Sequence, residues 1–278
     1  MRKSPLVQPV VKWVGGKRQL LRDIFPLFPK NFSSYCEPFF GGGAVLFSLQ
    51  PKQAIINDIN VDLMNMYKVV RDNVEQLIET LSKHKNESEH FYKVRDWDRD
   101  KPFYDKLDQV SKAARLIFLN KTCYNGLFRV NNAGEFNTPF GSYKNPNIVN
   151  APVLRAVSHY LQTTETTILS LDYSNILESV KPPTFVYLDP PYDPVSDTAS
   201  FTGYIKNGFN REEQIRLKHH CDVLHNRGVK FLLSNSATPF ILDLYSSYNV
   251  SSVNAKRAVN SVGSRRGDVE EILVRNYE

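Results

Sequence analysis

Four short apolar runs, rich in β-branched and aromatic residues, punctuate this chain at 54–59, 167–171, 184–188 and 229–233. Each is bounded by turn or polar residues, as strands buried in a parallel sheet are. Helical patterns lie between some of them. Asn210 caps one, with Glu213 three residues on; Leu217, Cys221 and Leu224 follow at i, i+4 and i+7, and Asn226-Arg227-Gly228 stops it before the run at 229. Residues 271–277 read as a last strand. Strands alternating with helices point to an open α/β sheet.

The middle of the chain departs from that rhythm. From 61 to 160 the periodicity is mostly helical, as in Val74, Leu77, Ile78 and Leu81, or Val110, Ala113, Ala114 and Ile117. After Asn120 a polar stretch with Gly, Asn and Pro runs to Asn150, in the manner of loops and a hairpin. The expected organisation is therefore an α/β domain made of 1–60 and 161–278, interrupted by a helical unit over 61–160 that bears an irregular arm.

Composition narrows the function classes. No run of about 18 apolar residues exists, so no transmembrane helix is expected. Cys36, Cys123 and Cys221 are odd in number and widely spaced, which fits neither a zinc site nor a disulfide framework and suits a reducing cytoplasm. The formal net charge is +6. Residues 1–30 hold Arg2, Lys3, Lys12, Lys17, Arg18, Arg22 and Lys30 against Asp23 alone, and 254–267 adds Lys256, Arg257, Arg265 and Arg266 with no acid before Asp268. Two such segments can flank a groove for phosphates, although charge alone is equally met by two solvated stretches.

Three motifs carry chemistry. Glu37-Pro38-Phe39-Phe40-Gly41-Gly42-Gly43 leads into the apolar helical start Ala44-Val45-Leu46-Phe47, and its glycines let backbone approach a ligand. Alone it is met as well by a tight turn. Asp58 follows the next strand, where an acid can accept from ribose hydroxyls or, more simply, cap the helix starting near Val61. Asp189-Pro190-Pro191-Tyr192 directly follows the run at 184–188, at a strand's carboxyl end. Two prolines remove two amide donors, so the Asp189 carboxylate and the Pro190 carbonyl can present acceptors together. An exposed Tyr192 adds an aromatic face, and the set suits a planar base bearing an amine. Lys12-Trp13-Val14-Gly15-Gly16-Lys17-Arg18 has only part of a P-loop; its lysine could hold a carboxylate and its Trp could pack on a ring.

In this order, and together with Asn57-Asp58-Ile59-Asn60, Tyr124-Asn125-Gly126-Leu127-Phe128-Arg129 and Gly134-Glu135-Phe136-Asn137-Thr138-Pro139-Phe140-Gly141, these segments resemble the Dam-like (D12 class, alpha group) adenine-N6 DNA methyltransferases, from about Val11 to Tyr277. The resemblance implies a Rossmann-like methyltransferase sheet with an inserted helical DNA-recognition domain bearing a hairpin arm. It implies S-adenosyl-L-methionine as cofactor, double-stranded DNA as partner, GATC as the site, no metal and no obligatory protein partner. Trp13, Lys17, Phe39, Gly41, Gly43, Asp58 and Asp189 match cofactor positions, with Lys17 beside the methionine carboxylate. Asp189, Pro190 and Tyr192 match the catalytic motif. Lys12, Tyr124, Asn125, Leu127, Arg129 and Pro139 match positions at the DNA, Arg129 as a reader of guanine. Cys123 stands where relatives often have Gly, and Ser142 where Arg or Lys is common. Enzymes of similar mechanism that act on RNA or on a protein amide carry Asn in place of Asp189 and lack the insert. Intact Asp189, Tyr192, Lys17 and Asp58 speak against an inactive DNA-binding module.

Overall fold

The structure is a computed structural model that describes residues 3–195, 209–256 and 268–278, with the side chains of 255, 256, 268 and 269 not included. Of the basic residues counted above, Arg2, Arg257, Arg265 and Arg266 and the Lys256 side chain lie outside the described residues.

Strands β1 (Ser34–Glu37), β2 (Gln53–Asn57), β3 (Glu165–Leu169), β4 (Thr184–Leu188), β5 (Lys230–Ser236), β6 (Asn249–Lys256) and β7 (Asp268–Arg275) form one seven-stranded sheet in the order β3-β2-β1-β4-β5-β7-β6. β1 pairs parallel with β2 and with β4, and β4 pairs parallel with β5. β7 runs antiparallel between β5 and β6. This is the mostly parallel, Rossmann-like α/β sheet that the alternating pattern predicts. The helices of the described chain are α1 (Leu21–Ile24), α2 (Ala44–Leu49), α3 (Val61–Asp72), α4 (Val74–Ser82), α5 (Ser88–Arg95), α6 (Lys101–Lys106), α7 (Gln109–Thr122), α8 (Ala151–Thr163), α9 (Tyr173–Ser179), α10 (Arg211–Asn226) and α11 (Pro239–Leu244).

The expected strand at 184–188 coincides with β4, and those at 54–59, 167–171, 229–233 and 271–277 overlap β2, β3, β5 and β7 with shifted ends. Two strands are additional. β1 is only four residues, Ser-Tyr-Cys-Glu, too short and too polar to stand out, yet Tyr35 and Cys36 are fully buried because strands flank it on both sides. β6 alternates Val with Ser and Asn and pairs with β7 alone, so its polar residues need no burial. α10 is capped as expected, with the Asn210 side chain accepting from the Glu213 amide, and Leu217, Cys221 and Leu224 are buried.

The chain packs as two compact units. The first holds Met1–Gly16, Gly41–Lys52 and Asp58–Ser170; the second holds Lys17–Phe40, Gln53–Asn57 and Leu171–Glu278. In the first, α7 packs on α3, α4 and α5 and is buried over most of its circumference from Ala113 to Asn120. α8 packs on α3 and α4. In the second, α10 packs on α9 and β5, and Phe185 of β4 anchors an aromatic cluster with Phe28, Phe32 and Tyr35 at ring separations of 4.6, 5.4 and 6.1 Å. All three cysteines are free and buried; burial pushes the Cys123 and Cys221 thiols up to about 12 and the Cys36 thiol higher still.

Phe185 is 0% exposed. Phe185→Ala should therefore lower the unfolding free energy by about 3–5 kcal/mol in urea titration, through lost transfer energy and the cavity left behind.

Candidate active site

Strand order in this sheet reverses between β1 and β4: the chain runs outward from β1 through β2 to β3 on one side and from β4 to β5 on the other. Ligands of open α/β sheets bind outside the carboxyl ends of strands at such a switch point. Both strands belong to the second unit, and the residues leaving their ends are Pro38-Phe39-Phe40 and Asp189-Pro190-Pro191-Tyr192. Buried Asn57, the last residue of β2, fixes the first segment: Nδ2 donates to the Pro38 and Leu171 carbonyls at 3.0 Å each, and its carbonyl accepts from the Phe40 amide at 2.9 Å. The half-buried Phe39 ring lies 5.0 Å from Tyr173 and 5.9 Å from Phe209.

Asp189 sits in a dense polar setting. Its Oδ1 is 2.7 Å from Nζ of Lys17, whose side chain is 6% exposed, and accepts at 2.9 Å from the fully buried Ser234 hydroxyl. Among the described residues, Oδ2 meets no donor. Burial pushes the Asp189 carboxyl above the ordinary aspartate range, while Lys17 and Ser234 pull it back part of the way. The same ammonium stands 4.7 Å from the centroid of the Tyr192 ring. Tyr192 is half-buried rather than exposed, and its hydroxyl donates to Glu271 Oε2 at 2.7 Å. Buried Gln214 donates to the Pro191 carbonyl at 2.8 Å and accepts from Asn235 at 3.0 Å, so α10 and β5 hold the double-proline turn.

Lys17 also corrects one expectation. Counted among the basic residues of a phosphate groove, it is instead buried against Asp189.

In the first unit, Asp58 is not the cap of α3. Asn60 performs that task, accepting from Leu63, while the Asp58 carboxylate accepts from the Gly41 amide on Oδ2 and the Asn60 amide on Oδ1, each at 2.9 Å. Burial pushes its carboxyl up, and those two amides pull it back. A carboxylate offers about four acceptor directions, so capacity remains for a diol. Gly41 has φ +50°, and a Cβ there would meet Trp13 Cδ1 at 2.9 Å, so only glycine fits. Trp13 stacks on Phe128 at 5.0 Å. A carboxylate with spare acceptors, a close-approach glycine loop and an aromatic ring, all within the first unit, form a set that fits the ribose and base of a nucleoside such as S-adenosylmethionine.

The positions expected at the DNA fall in the first unit. Buried Asn120 clamps two of their segments: Oδ1 accepts from the Lys12 amide at 2.9 Å, and Nδ2 donates to the Lys12 and Gly126 carbonyls at 2.8 and 3.0 Å. Lys12, Tyr124, Asn125, Arg129 and Pro139 are exposed and Leu127 is half-buried. The Tyr124 amide donates to the Pro139 carbonyl, and Arg129 Nε donates to Asn137 Oδ1 at 2.8 Å. Bridges Cys123–Phe140 and Val130–Phe136 make the arm a short hairpin.

Sequence reasoning missed Ser234, Asn235, Gln214 and Glu271. A usable signal existed for the first two: Ser234-Asn235-Ser236 ends an apolar strand, and a polar triplet that is buried must have partners. Asp172 caps α9 and pairs with Arg216 at 2.8 Å.

A carboxylate-Pro-Pro-Tyr turn at the switch point of a Rossmann-like sheet offers acceptors and an aromatic ring to an amine-bearing base. The chain belongs to the D12 class N6 adenine-specific DNA methyltransferases, matching that family over residues 13–259. It is 46% identical over 291 residues to the type II methyltransferase M.MjaIII of Methanocaldococcus jannaschii, covering 98% of this chain and 99% of the relative. It is 42% identical over 273 residues to the type II methyltransferase M1.LlaDCHI of Lactococcus lactis subsp. cremoris, covering 98% and 96%. To the DNA adenine methylase of Escherichia coli it is 32% identical over 268 residues, covering 95% and 93%. It is an adenine-specific DNA methyltransferase. No helix among the described residues is long and apolar enough to cross a membrane.

The Ser234 hydrogen bond favours the ionised carboxylate. Ser234→Ala should therefore move the Asp189 pKa still higher, read by the carboxyl carbon shift in an NMR titration. An unchanged or lowered value would show that the hydroxyl serves another group.

Proposed function

We propose that this enzyme transfers a methyl group from S-adenosyl-L-methionine to N6 of an adenine extruded from double-stranded DNA, within a GATC site. The observation that supports the catalytic reading best is the Asp189 carboxylate at the carboxyl end of β4, with Oδ1 occupied by Lys17 and Ser234 and Oδ2 directed to no protein donor among the described residues.

Inside a duplex N6 is out of reach, so the base must leave the stack at a cost of a few kcal/mol. Tyr192 stacks on the extruded ring and recovers about 1–3 kcal/mol of that. Its hydroxyl is anchored on Glu271, so little rotamer freedom remains to be lost when the base arrives. Asp189 Oδ2 and the Pro190 carbonyl accept the two N6 hydrogens, which favours a pyramidal nitrogen with its lone pair available. Asp189 serves as acceptor and charge stabiliser, and the proton departs after methyl transfer; this requires the ionised carboxylate, although burial raises its pKa. When bound, S-adenosyl-L-methionine supplies a methyl group on a sulfonium, an excellent leaving group. Trp13, Phe39, Gly41, Gly43 and Asp58 hold it, with Asp58 accepting from the ribose hydroxyls and Lys17 close to the methionine carboxylate.

Residues 61–160 serve as the target-recognition insert on a catalytic domain of 1–60 and 161–278. Arg129 reads a guanine, Leu127 and Pro139 offer apolar contact to the site, Tyr124 and Asn125 meet the gap left by the base, and Lys12 lies near the DNA. The GATC reading rests on the resemblance of this arm. The DNA substrate places the enzyme with the nucleoid in the cytoplasm.

Asp189→Ala should abolish methyl transfer in a protein that remains folded by circular dichroism; near-wild-type turnover would refute its role. Arg129→Ala should relax discrimination at one guanine by about 1–3 kcal/mol, measured as kcat/KM on single-substitution duplexes. Uniform weakening on every sequence would make Arg129 a phosphate contact. Digestion of DNA from an expressing host with nucleases of differing sensitivity to methylated GATC tests the site.

A further inference from the structure

The hairpin arm of the first unit is tied to the helical body by side chains. Phe136 pairs with Val130 across the arm, and its ring is buried against Phe128. Its amide donates to Asp98 Oδ2 at 2.7 Å, and its carbonyl accepts from Arg99 Nη2 at 3.0 Å. Two consecutive residues thus capture both backbone groups of one arm residue. The next residue, Asn137, carries the Oδ1 that holds Arg129, and its amide donates to the Arg129 carbonyl at 2.9 Å.

The holding pair is itself fixed. Asp98 is buried, with Oδ2 2.7 Å from Nη2 of buried Arg115 and Oδ1 2.8 Å from Nη1 of Arg99. Arg115, on α7, donates to the Val94 and Arg95 carbonyls at 2.9 and 2.7 Å. The path from α7 to the arginine of the arm therefore runs Arg115, Asp98, Phe136, Asn137, Arg129. Phe136 cannot slide without breaking hydrogen bonds on both of its backbone groups. We infer that Asp98 and Arg99 are positioning residues that set the register of the arm, and through it the sequence discrimination of Arg129, without touching the bases. The discrimination half of this inference rests on the reading of Arg129 given above; the holding of the arm does not.

The test uses the full chain with Arg99→Gln, Asp98→Asn and Arg129→Ala. Arg99 is 30% exposed at its side chain, so Arg99→Gln should fold normally. Asp98→Asn leaves Arg115 without its carboxylate and carries the greater folding risk. Three quantities are read: the ratio of kcat/KM on the best duplex to that on a duplex altered at one guanine, the melting temperature, and amide exchange at Phe136 and Asn137. Arg99→Gln is expected to lower the ratio about tenfold, part of what a good arginine–guanine contact supplies. Its melting temperature and its kcat on the best duplex should stay close to wild type. Exchange should quicken at 136 and 137 and stay unchanged in α7. A ratio and exchange rates equal to wild type in Arg99→Gln overturn the inference, whatever Asp98→Asn does to stability. If Arg129→Ala leaves the ratio intact, the guanine-reading role fails on its own. Faster exchange at 136 and 137 in Arg99→Gln would then uphold the holding of the arm, and unchanged exchange would dispose of it.

Discussion

Two parallel strands that lie side by side but continue to opposite flanks of the sheet leave a notch at their carboxyl ends. β1 and β4 are that pair here. Both chain segments that leave the notch are immobilised by residues buried beneath them: Asn57 under Pro38 and Phe40, and Gln214 with Asn235 under Pro191. These are neutral amides, which satisfy donors and acceptors without the desolvation penalty that a buried charge carries. The charges are kept for the turn itself, where Lys17 and Asp189 stand 2.7 Å apart. A nearly buried pair of that kind is costly to leave half-made, which makes the Asp189 carboxylate sensitive to anything that draws the ammonium away.

Much of the framework is legible from the chain because long apolar periodicities survive any tertiary context. α10, with Asn210 as its cap, and β4 are found as read. β1 is invisible for a physical reason: a strand flanked on both sides needs only four residues, and its Glu37 is buried by accepting from Tyr35, which no local pattern announces. β6 escapes because a strand at a sheet edge can be polar.

The motif residues of the site are equally visible, since acid, proline and glycine at fixed spacing are rare by chance. Their partners are not. Ser234 and Glu271 reach Asp189 and Tyr192 from 45 and 79 positions away; the polar triplet around Ser234 hints at a buried partner, but a lone Glu in a strand carries no local mark of that duty. Lys17 shows the opposite failing. Its charge is plain in the sequence, but its environment is not: buried in the fold, it is the counterion of Asp189 rather than a surface cation.

The three thiols have a practical consequence. Each is fully enclosed, with its ionisation displaced far above neutrality, so the reactive thiolate form is scarce and shielded. The folded chain should resist alkylating reagents and should not cross-link with itself on storage in air. A cysteine introduced on the surface would then be the one position open to maleimide chemistry, giving a fluorophore or spin probe a single address with the native residues left in place.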